Sequence, residues 1–239
     1  MSSEKQDETM PANSWEFDGE VTSVFDNMLA RSIPQYNVMR EACFQLAKRF
    51  RQPHTDIVDL GCSRGGAIAQ LVDTFGATNH FVGLDVSEPM LKASRERFAG
   101  YIESGTVKIE NLDLRTGFPE VKASVILCVL TLQFTPIEHR LRILRDVHQH
   151  LVEGGVFILV EKILGASATL DEIMVDTYYD LKRSHGYSDE QIERKRLSLE
   201  GVLVPVTAEW NNIMLKETGF LHHECFWRWM NFAGWMAIR

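Results

Sequence analysis

Ile57-Val58-Asp59-Leu60-Gly61-Cys62-Ser63-Arg64-Gly65-Gly66 is the stretch whose reading decides the fold. A buried strand with an acidic residue near its end, a glycine-bearing turn and a helix start form the nucleotide-binding corner of a Rossmann-type unit. Gly61 lets the backbone turn sharply where the strand ends, and Gly65 with Gly66 lets a ligand or the sheet approach closely.

Which ligand the turn suits follows from what it lacks. A dinucleotide fingerprint, G-x-G-x-x-G, needs glycine at its second position so that a pyrophosphate can lie against the backbone. Ser63 stands there instead, and the spacing reads D-x-G-x-x-x-G. That spacing suits a nucleoside without phosphates, of which S-adenosylmethionine is the commonest on this corner. A tight strand-to-helix turn that binds nothing is the bland alternative.

Composition narrows the function class. The 239 residues are 45% hydrophobic, enough for one good core with a helical annex, and they carry a formal net charge of −8. That charge argues against a broad electrostatic grip on nucleic acid or an anionic membrane. The longest apolar run, Val125 to Leu132, falls far short of the ~20 residues a bilayer demands. A polar N-terminus without an apolar core predicts a cytoplasmic protein rather than a secreted one. Cys43, Cys62, Cys128 and Cys225 lack C-x-x-C spacing, so neither zinc nor a disulfide framework is expected. His222-His223-Glu224-Cys225 reads as strand rather than metal site, because adjacent strand residues face opposite ways.

Residues 1–13 read as a disordered tail and 14–239 as a single domain. Val21, Val24, Phe25, Met28 and Leu29 recur at helical spacing. A second helix, with Pro34 near its start, carries Met39, Cys43, Leu46, Ala47 and Phe50 on one face. Such an annex in front of the first strand can cover a cofactor, and Tyr36 is placed to reach it or to pack at the helix junction.

From residue 56 strands and helices alternate, which predicts a parallel sheet. Phe81 to Leu84 forms the second strand and ends in Asp85, roughly 20 residues past the glycine turn, where a carboxylate accepts from ribose hydroxyls. Ser87 caps the next helix. Val107 to Glu110 is a third strand, followed by Asp113, suited to an adenine amino group, and Leu114. Ser124 to Val129 is a central strand, and Thr135-Pro136-Ile137-Glu138 reads as a capping box. Val156 to Val160 is a fifth strand, with Glu161-Lys162 read as an edge ion pair. Beyond residue 165 helices follow one another to about 217, with capping boxes at Thr169–Glu172 and Ser188–Gln191. Phe220 to Phe226 and Met230 to Ile238 then form an antiparallel pair. This layout is the class I methyltransferase-like fold: α/β and Rossmann-like, a seven-stranded, mostly parallel sheet with a C-terminal hairpin, helical N-terminal additions and a helical lid.

The lid contains an unusual basic run, Lys182, Arg183, His185, Arg194, Lys195 and Arg196, interrupted by Tyr187. A solvated helix face is the ordinary reading of such a run. The alternative is an anion site, for which arginine's planar fork is suited. Trp227, Trp229 and Trp235 read as core or subunit contacts.

Taken together, Trp15-Glu16-Phe17-Asp18, Arg31-Ser32-Ile33-Pro34-Gln35-Tyr36, Asp59-Leu60-Gly61-Cys62-Ser63, Leu84-Asp85, Thr131-Leu132-Gln133-Phe134, Glu161-Lys162, Lys182-Arg183, Gly186-Tyr187-Ser188 and Lys195-Arg196 resemble the carboxy-S-adenosyl-L-methionine synthase family over essentially all of the chain from residue 15. The resemblance implies a homodimeric enzyme that uses prephenate to carboxylate the methyl group of S-adenosylmethionine and releases phenylpyruvate. Its product, carboxy-S-adenosylmethionine, serves a partner enzyme that modifies wobble uridine in transfer RNA. The same resemblance assigns Tyr36, Gly61, Cys62, Ser63, Asp85, Asp113 and Leu114 to the cofactor, and Arg196 to the carboxylate of the product. It implies no metal. Two ligand positions depart from the family pattern, Val86 and Val129, each where asparagine is expected. These departures keep open an S-adenosylmethionine-dependent methyltransferase acting on a small molecule or transfer RNA, and a non-catalytic cofactor-binding dimer.

Overall fold

A computed structural model describes residues 6–9, 11 and 13–239 of the chain. Its sheet runs β3-β2-β1-β4-β5-β8-β7. The strands are β1 (Asp56–Leu60), β2 (His80–Asp85), β3 (Val107–Asn111), β4 (Ala123–Val129), β5 (Leu151–Leu164), β7 (His222–Trp229) and β8 (Phe232–Ile238). β1 to β5 pair in parallel, while β8 lies antiparallel to both β5 and β7. The expected seven strands and closing hairpin are therefore present. An eighth strand, β6 (Val206–Thr207), pairs with the far end of β5 at Ile163 and Leu164. Two residues carry no periodicity, so β6 had no sequence signal.

The central strands alternate their side chains between two cores, as the pleat requires. Val58, Leu60, Ile126, Cys128, Phe157 and Leu159 pack on one side. Against them lie α6 (Ile137–His150), through Ile143, Leu144 and Val147, and α9 (Ala208–Glu217), through Met214 and Leu215. Ile57, Phe81, Val125, Leu127, Val156 and Ile158 face the other way. They meet α2 (Tyr36–Phe50), through Met39, Cys43 and Ala47, and α3 (Gly66–Phe75), through Ile68, Leu71 and Val72, while α4 (Glu88–Arg97) and the short α5 (Ala99–Glu103) connect β2 to β3. Trp227 and Trp235 are interior and Trp229 is partly buried against the same core as Trp227, in keeping with the core reading of the hairpin tryptophans.

Several local expectations are corrected. β5 starts at Leu151 rather than Val156 and runs 14 residues through Gly154-Gly155; a bulge opposite Ala123 and Val125 absorbs the irregularity. α6 has Pro136 as its N-cap and no side-chain cap from Thr135. In α7 (Ala168–Ser184) the cap is Ser167, which accepts from the Leu170 amide, rather than Thr169. The Ser188 box is present in both arms at the start of α8 (Asp189–Ser198). Pro34 lies in the turn before α2, whose N-cap Gln35 is left-handed at φ 48°. Of the segment read as a tail, residues 6–9, 11 and 13 are described, and Asp7 is wholly buried there; residues 1–5, 10 and 12 lie outside the described residues.

Candidate functional site

The turn after β1 is held by its backbone. Gly61 N–H and Cys62 N–H both donate to the Leu84 carbonyl at 2.8 Å, tying the turn to the end of β2. Gly61, Ser63 and Gly65 all take left-handed φ values, 75°, 47° and 73°. A Cβ at Gly61 would strike the Thr131 side chain, and one at Gly65 would strike Phe98 and Ser94. Gly65 thus serves helix packing rather than ligand approach. Ser63 pays the αL strain that a glycine would avoid, which fits a position under functional constraint.

Ser63 N–H donates to Asp85 Oδ2 at 2.8 Å, and the Val86 and Ser87 amides donate to Oδ1 at 2.8 and 2.9 Å. Burial raises the Asp85 pKa, and these three backbone donors oppose the rise. The carboxylate is locked in orientation with one lone pair of Oδ2 still available to a hydroxyl. Cys62 turns its thiol inward onto Gly83. It borders the cavity, but burial pushes its thiol pKa up and leaves it inert.

Around this turn lies a cavity of about 450 Å³, within the range of ~300–1,000 Å³ usual for small-molecule sites. Tyr36, Gly61, Cys62, Ser63, Asp85, Val86, Asp113, Leu114 and Val129 all line it. Asp113 is also gripped by its neighbour Arg115, with Nη2 at 2.6 Å, and that bond chiefly keeps its carboxyl below the usual range. Val86 is 59% exposed at the rim, and Val129 presents an aliphatic wall at the end of β4. Leu130, the next residue, is left-handed at φ 60°. Trp15, Phe17, Phe25 and Phe134 form an aromatic side to the cavity, with Phe17 edge-on to Phe134 at 5.2 Å. Part of that side comes from α1 (Gly19–Ser32), so the N-terminal annex does cover the cavity.

Arg196, placed at the ligand by resemblance alone, does not line this cavity. Its guanidinium lies on Glu193, with Nη2 at 2.7 Å, and its side chain is 44% exposed. Successive helical residues diverge by about 100°, so when Lys195 turns inward Arg196 must turn out. The same phase divides the whole basic run. Arg183 pairs with Asp180 and Asp189, and Arg194 with Glu190, at the surface. Lys182 and Lys195 are only 6% and 4% exposed and line the cavity. Neither a wholly solvated face nor an arginine site describes it.

Charged residues outside the predicted set, Arg40, Asp59, Lys162, Lys182 and Lys195, also line the cavity. Asp59 is buried against it; its Oδ2 has no hydrogen-bond partner, and burial raises its pKa to about 7 although Arg40, also lining the cavity, opposes this. A buried, unpaired carboxylate oxygen suits an ammonium group such as an amino-acid ligand carries. Glu161 and Lys162 are not the expected ion pair, since adjacent strand residues point oppositely. Glu161 is buried behind the site, accepts from the Leu132 amide at 3.1 Å and is raised by burial to about 8. Lys162 enters the cavity, with Nζ 5.1 Å from the Tyr178 ring centroid. In Asp59 the signal was the acid inside a buried strand; for Lys162, Lys182 and Lys195 it was lysine in otherwise apolar or helical-core phase.

Among the described residues no group of three or more His, Cys, Asp or Glu side chains could hold a metal, and no helix is long and apolar enough to cross a membrane. A methyltransferase domain family matches residues 58–157. Carboxy-S-adenosyl-L-methionine synthase of Methylococcus capsulatus is 38% identical, covering 93% of both chains. The enzyme of the same name from Wolinella succinogenes is 40% identical over 93% of this chain and 92% of its own. Among solved structures, the pyocyanin biosynthetic protein PhzM superposes with a TM-score of 0.65 at 17% identity over 94% of this chain. Human N-acetylserotonin methyltransferase in complex with SAM gives 0.61 at 12% over 92%. The chain spans 59% and 55% of those two proteins, so they share its fold and not its full extent. With two near full-length relatives of one name and the methyltransferase architecture beneath them, the chain belongs to the carboxy-S-adenosyl-L-methionine synthase family, transferases that use S-adenosylmethionine.

Proposed function

We propose that the protein converts S-adenosylmethionine and prephenate to carboxy-S-adenosylmethionine and phenylpyruvate. The observation that carries this reading is the near full-length identity to synthases of that name. The cavity is consistent with it, because it combines a nucleoside-type floor at Asp85 and Asp113 with a lysine-rich end that suits an acidic second substrate. S-adenosylmethionine, when bound, supplies the methyl carbon that becomes carboxylated. The residues of this chain orient and shield. Asp85 offers Oδ2 to a ribose hydroxyl, Asp59 its free Oδ2 to an ammonium, and the aromatic side formed by Trp15, Phe17 and Phe134 excludes water. Lys162, Lys182 and Lys195 balance the charge of the acid. No protein base is assigned, because the hydroxide leaving prephenate can take the methyl proton.

Arg196 takes part in this reading only from a second subunit, since its own cavity does not contain it. The exposed apolar side chains Leu170 and Ile173 on α7 and Leu197 on α8 support a homodimer formed through the insertion. The product would serve a separate enzyme of wobble-uridine modification in the cytoplasm; a net charge of −8 argues against a broad grip on transfer RNA by this chain itself.

Incubation with S-adenosylmethionine and prephenate, followed by mass spectrometry, should show a nucleoside heavier by one carboxyl group, together with phenylpyruvate. No such product from active, folded protein would remove the reading. A methyltransferase is the second reading, favoured by Val86 and Val129, which line the cavity without an amide. A methylated acceptor formed in the absence of prephenate would establish it.

A further inference from the structure

The N-terminal segment carries a carboxylate into the interior. Asp7 is fully buried, and its Oδ2 is paired with Lys195 Nζ while accepting from the Tyr187 hydroxyl. Oδ1 accepts from the Thr9 hydroxyl and from the Thr9 amide, the latter at 3.1 Å. The backbone is fastened as well: the Asp7 amide donates to Asn27 Oδ1 at 2.9 Å, and Arg31 Nη1 donates to the Asp7 carbonyl at 2.8 Å. Tyr187 is fixed in turn by the Ser32 hydroxyl at 3.1 Å and by the Arg31 guanidinium 4.1 Å over its ring.

This carboxylate sits on groups that belong to the ligand cavity. Lys195, Lys182 and Ser32 all line it. Lys182 Nζ lies 5.1 Å from the Tyr187 ring centroid and 5.6 Å from that of Tyr178. Of the three lysines at this end, only Lys195 has an acidic ion-pair partner among the described residues, and that partner is Asp7. Lys182 and Lys195 share the one carboxylate of Asp7, while Lys162 feels Asp171, so an acid entering here meets amine groups that aromatic faces screen only partly. Burial lowers the Lys182 pKa to about 7, with Lys195 and then Lys162 adding to the fall and Asp7 opposing it. Burial alone would raise Asp7, yet the bonds from Lys195, Thr9 and Tyr187 outweigh it and hold its carboxyl below the ordinary value.

We propose that Lys195 and Lys182 at the cavity wall, with Tyr187 behind them, form a carboxylate-binding site, and that Asp7 is its tethered resident, displaced when a small organic acid enters. A tethered acid competes at high local concentration, so the segment lowers the apparent affinity of a free acid without touching the nucleoside end. The identity of the physiological acid rests on the reading of the reaction given above; the site itself does not.

Calorimetric titration of the full-length protein and of Asp7→Asn with prephenate, phenylpyruvate and S-adenosylmethionine tests this. Both acids are expected to bind Asp7→Asn about ten-fold tighter than wild type, with S-adenosylmethionine within about two-fold. Lys195→Met should lose the acids in either background. In wild-type protein, phenylpyruvate should also accelerate deuterium exchange at the amides of Asp7 and Thr9, a readout that does not depend on the variant folding. Unchanged or weaker binding of both acids to Asp7→Asn, no acid binding to either protein, or unaltered exchange under saturating phenylpyruvate would each overturn the proposal and leave Asp7 a structural pillar. Tighter phenylpyruvate binding without turnover of prephenate would uphold the site and remove the proposed reaction.

Discussion

Asp59 shows how a single side chain can trade stability for binding. Its carboxyl is held near a pKa of about 7 by burial, above the 3.8 of an unfolded chain. A rise of that size corresponds to ~4 kcal/mol against the ionised form. Asp59→Asn removes the charge while keeping the shape. The ligand-free variant is expected to melt several degrees higher at pH above about 7, and to bind S-adenosylmethionine about ten-fold more weakly or worse. Thermal melts and calorimetry read the two effects separately, and an unchanged affinity would take Asp59 out of the site. At this scale the sequence was informative wherever a residue type had one physical use. The left-handed Gly61 and the strand-end Asp85 are of that kind, because steric freedom and a fixed distance from the turn constrain them. Asp7 was not legible, since an acid in a short polar segment gives no sign that it folds back onto a helix from the far end of the chain.

Among the elements, α8 is the one whose phase matters most. Ser188 accepts from the Gln191 amide at 3.2 Å while Gln191 Oε1 accepts from the Ser188 amide at 2.9 Å. The rest of the helix has only Ile192, Lys195 and Ser198 buried, so its start depends on this box. Ser188→Ala is expected to cost ~1 kcal/mol in urea unfolding, with Gly at the same position costing less. An effect below experimental error would mean that tertiary contacts alone set the helix. Strand and helix alternation was readable from period and capping, which is why the mostly parallel sheet and its closing hairpin were legible, while the strand order came only with the structure. The basic run misled because composition gives the charges but not the rotation that sends Lys182 and Lys195 inward and Arg183, Arg194 and Arg196 outward. Arg196 was assigned to the ligand by resemblance, and its helical phase turns it away from this cavity onto Glu193.

For the molecule as a whole, the buried ionisable groups set opposing pH dependences. Asp59 and Glu161, raised to about 7 and about 8, keep protons in the folded chain that the unfolded chain has released. Stability therefore falls as pH rises from roughly 4 toward 8. Lys182, lowered to about 7, acts in the other sense. Between roughly pH 7 and 10 the unfolded chain binds a proton that the folded chain has lost, so stability rises with pH there. Melts of the ligand-free protein across roughly pH 5 to 9 should pass through a minimum between about 7 and 8. A melting temperature that climbs steadily from pH 5 to 8 would contradict the burial of these groups.

β5 extends beyond its partners to Leu164, and the two-residue β6 fastens onto that overhang at Ile163 and Leu164. The helical excursion from residue 165 to 205 thus leaves the sheet and is stitched back to it at nearly the same spot. Both ends of the roof are therefore set by the position of one strand end, and the lysines it carries inward keep their place over the cavity while Tyr178 stays packed on Phe232.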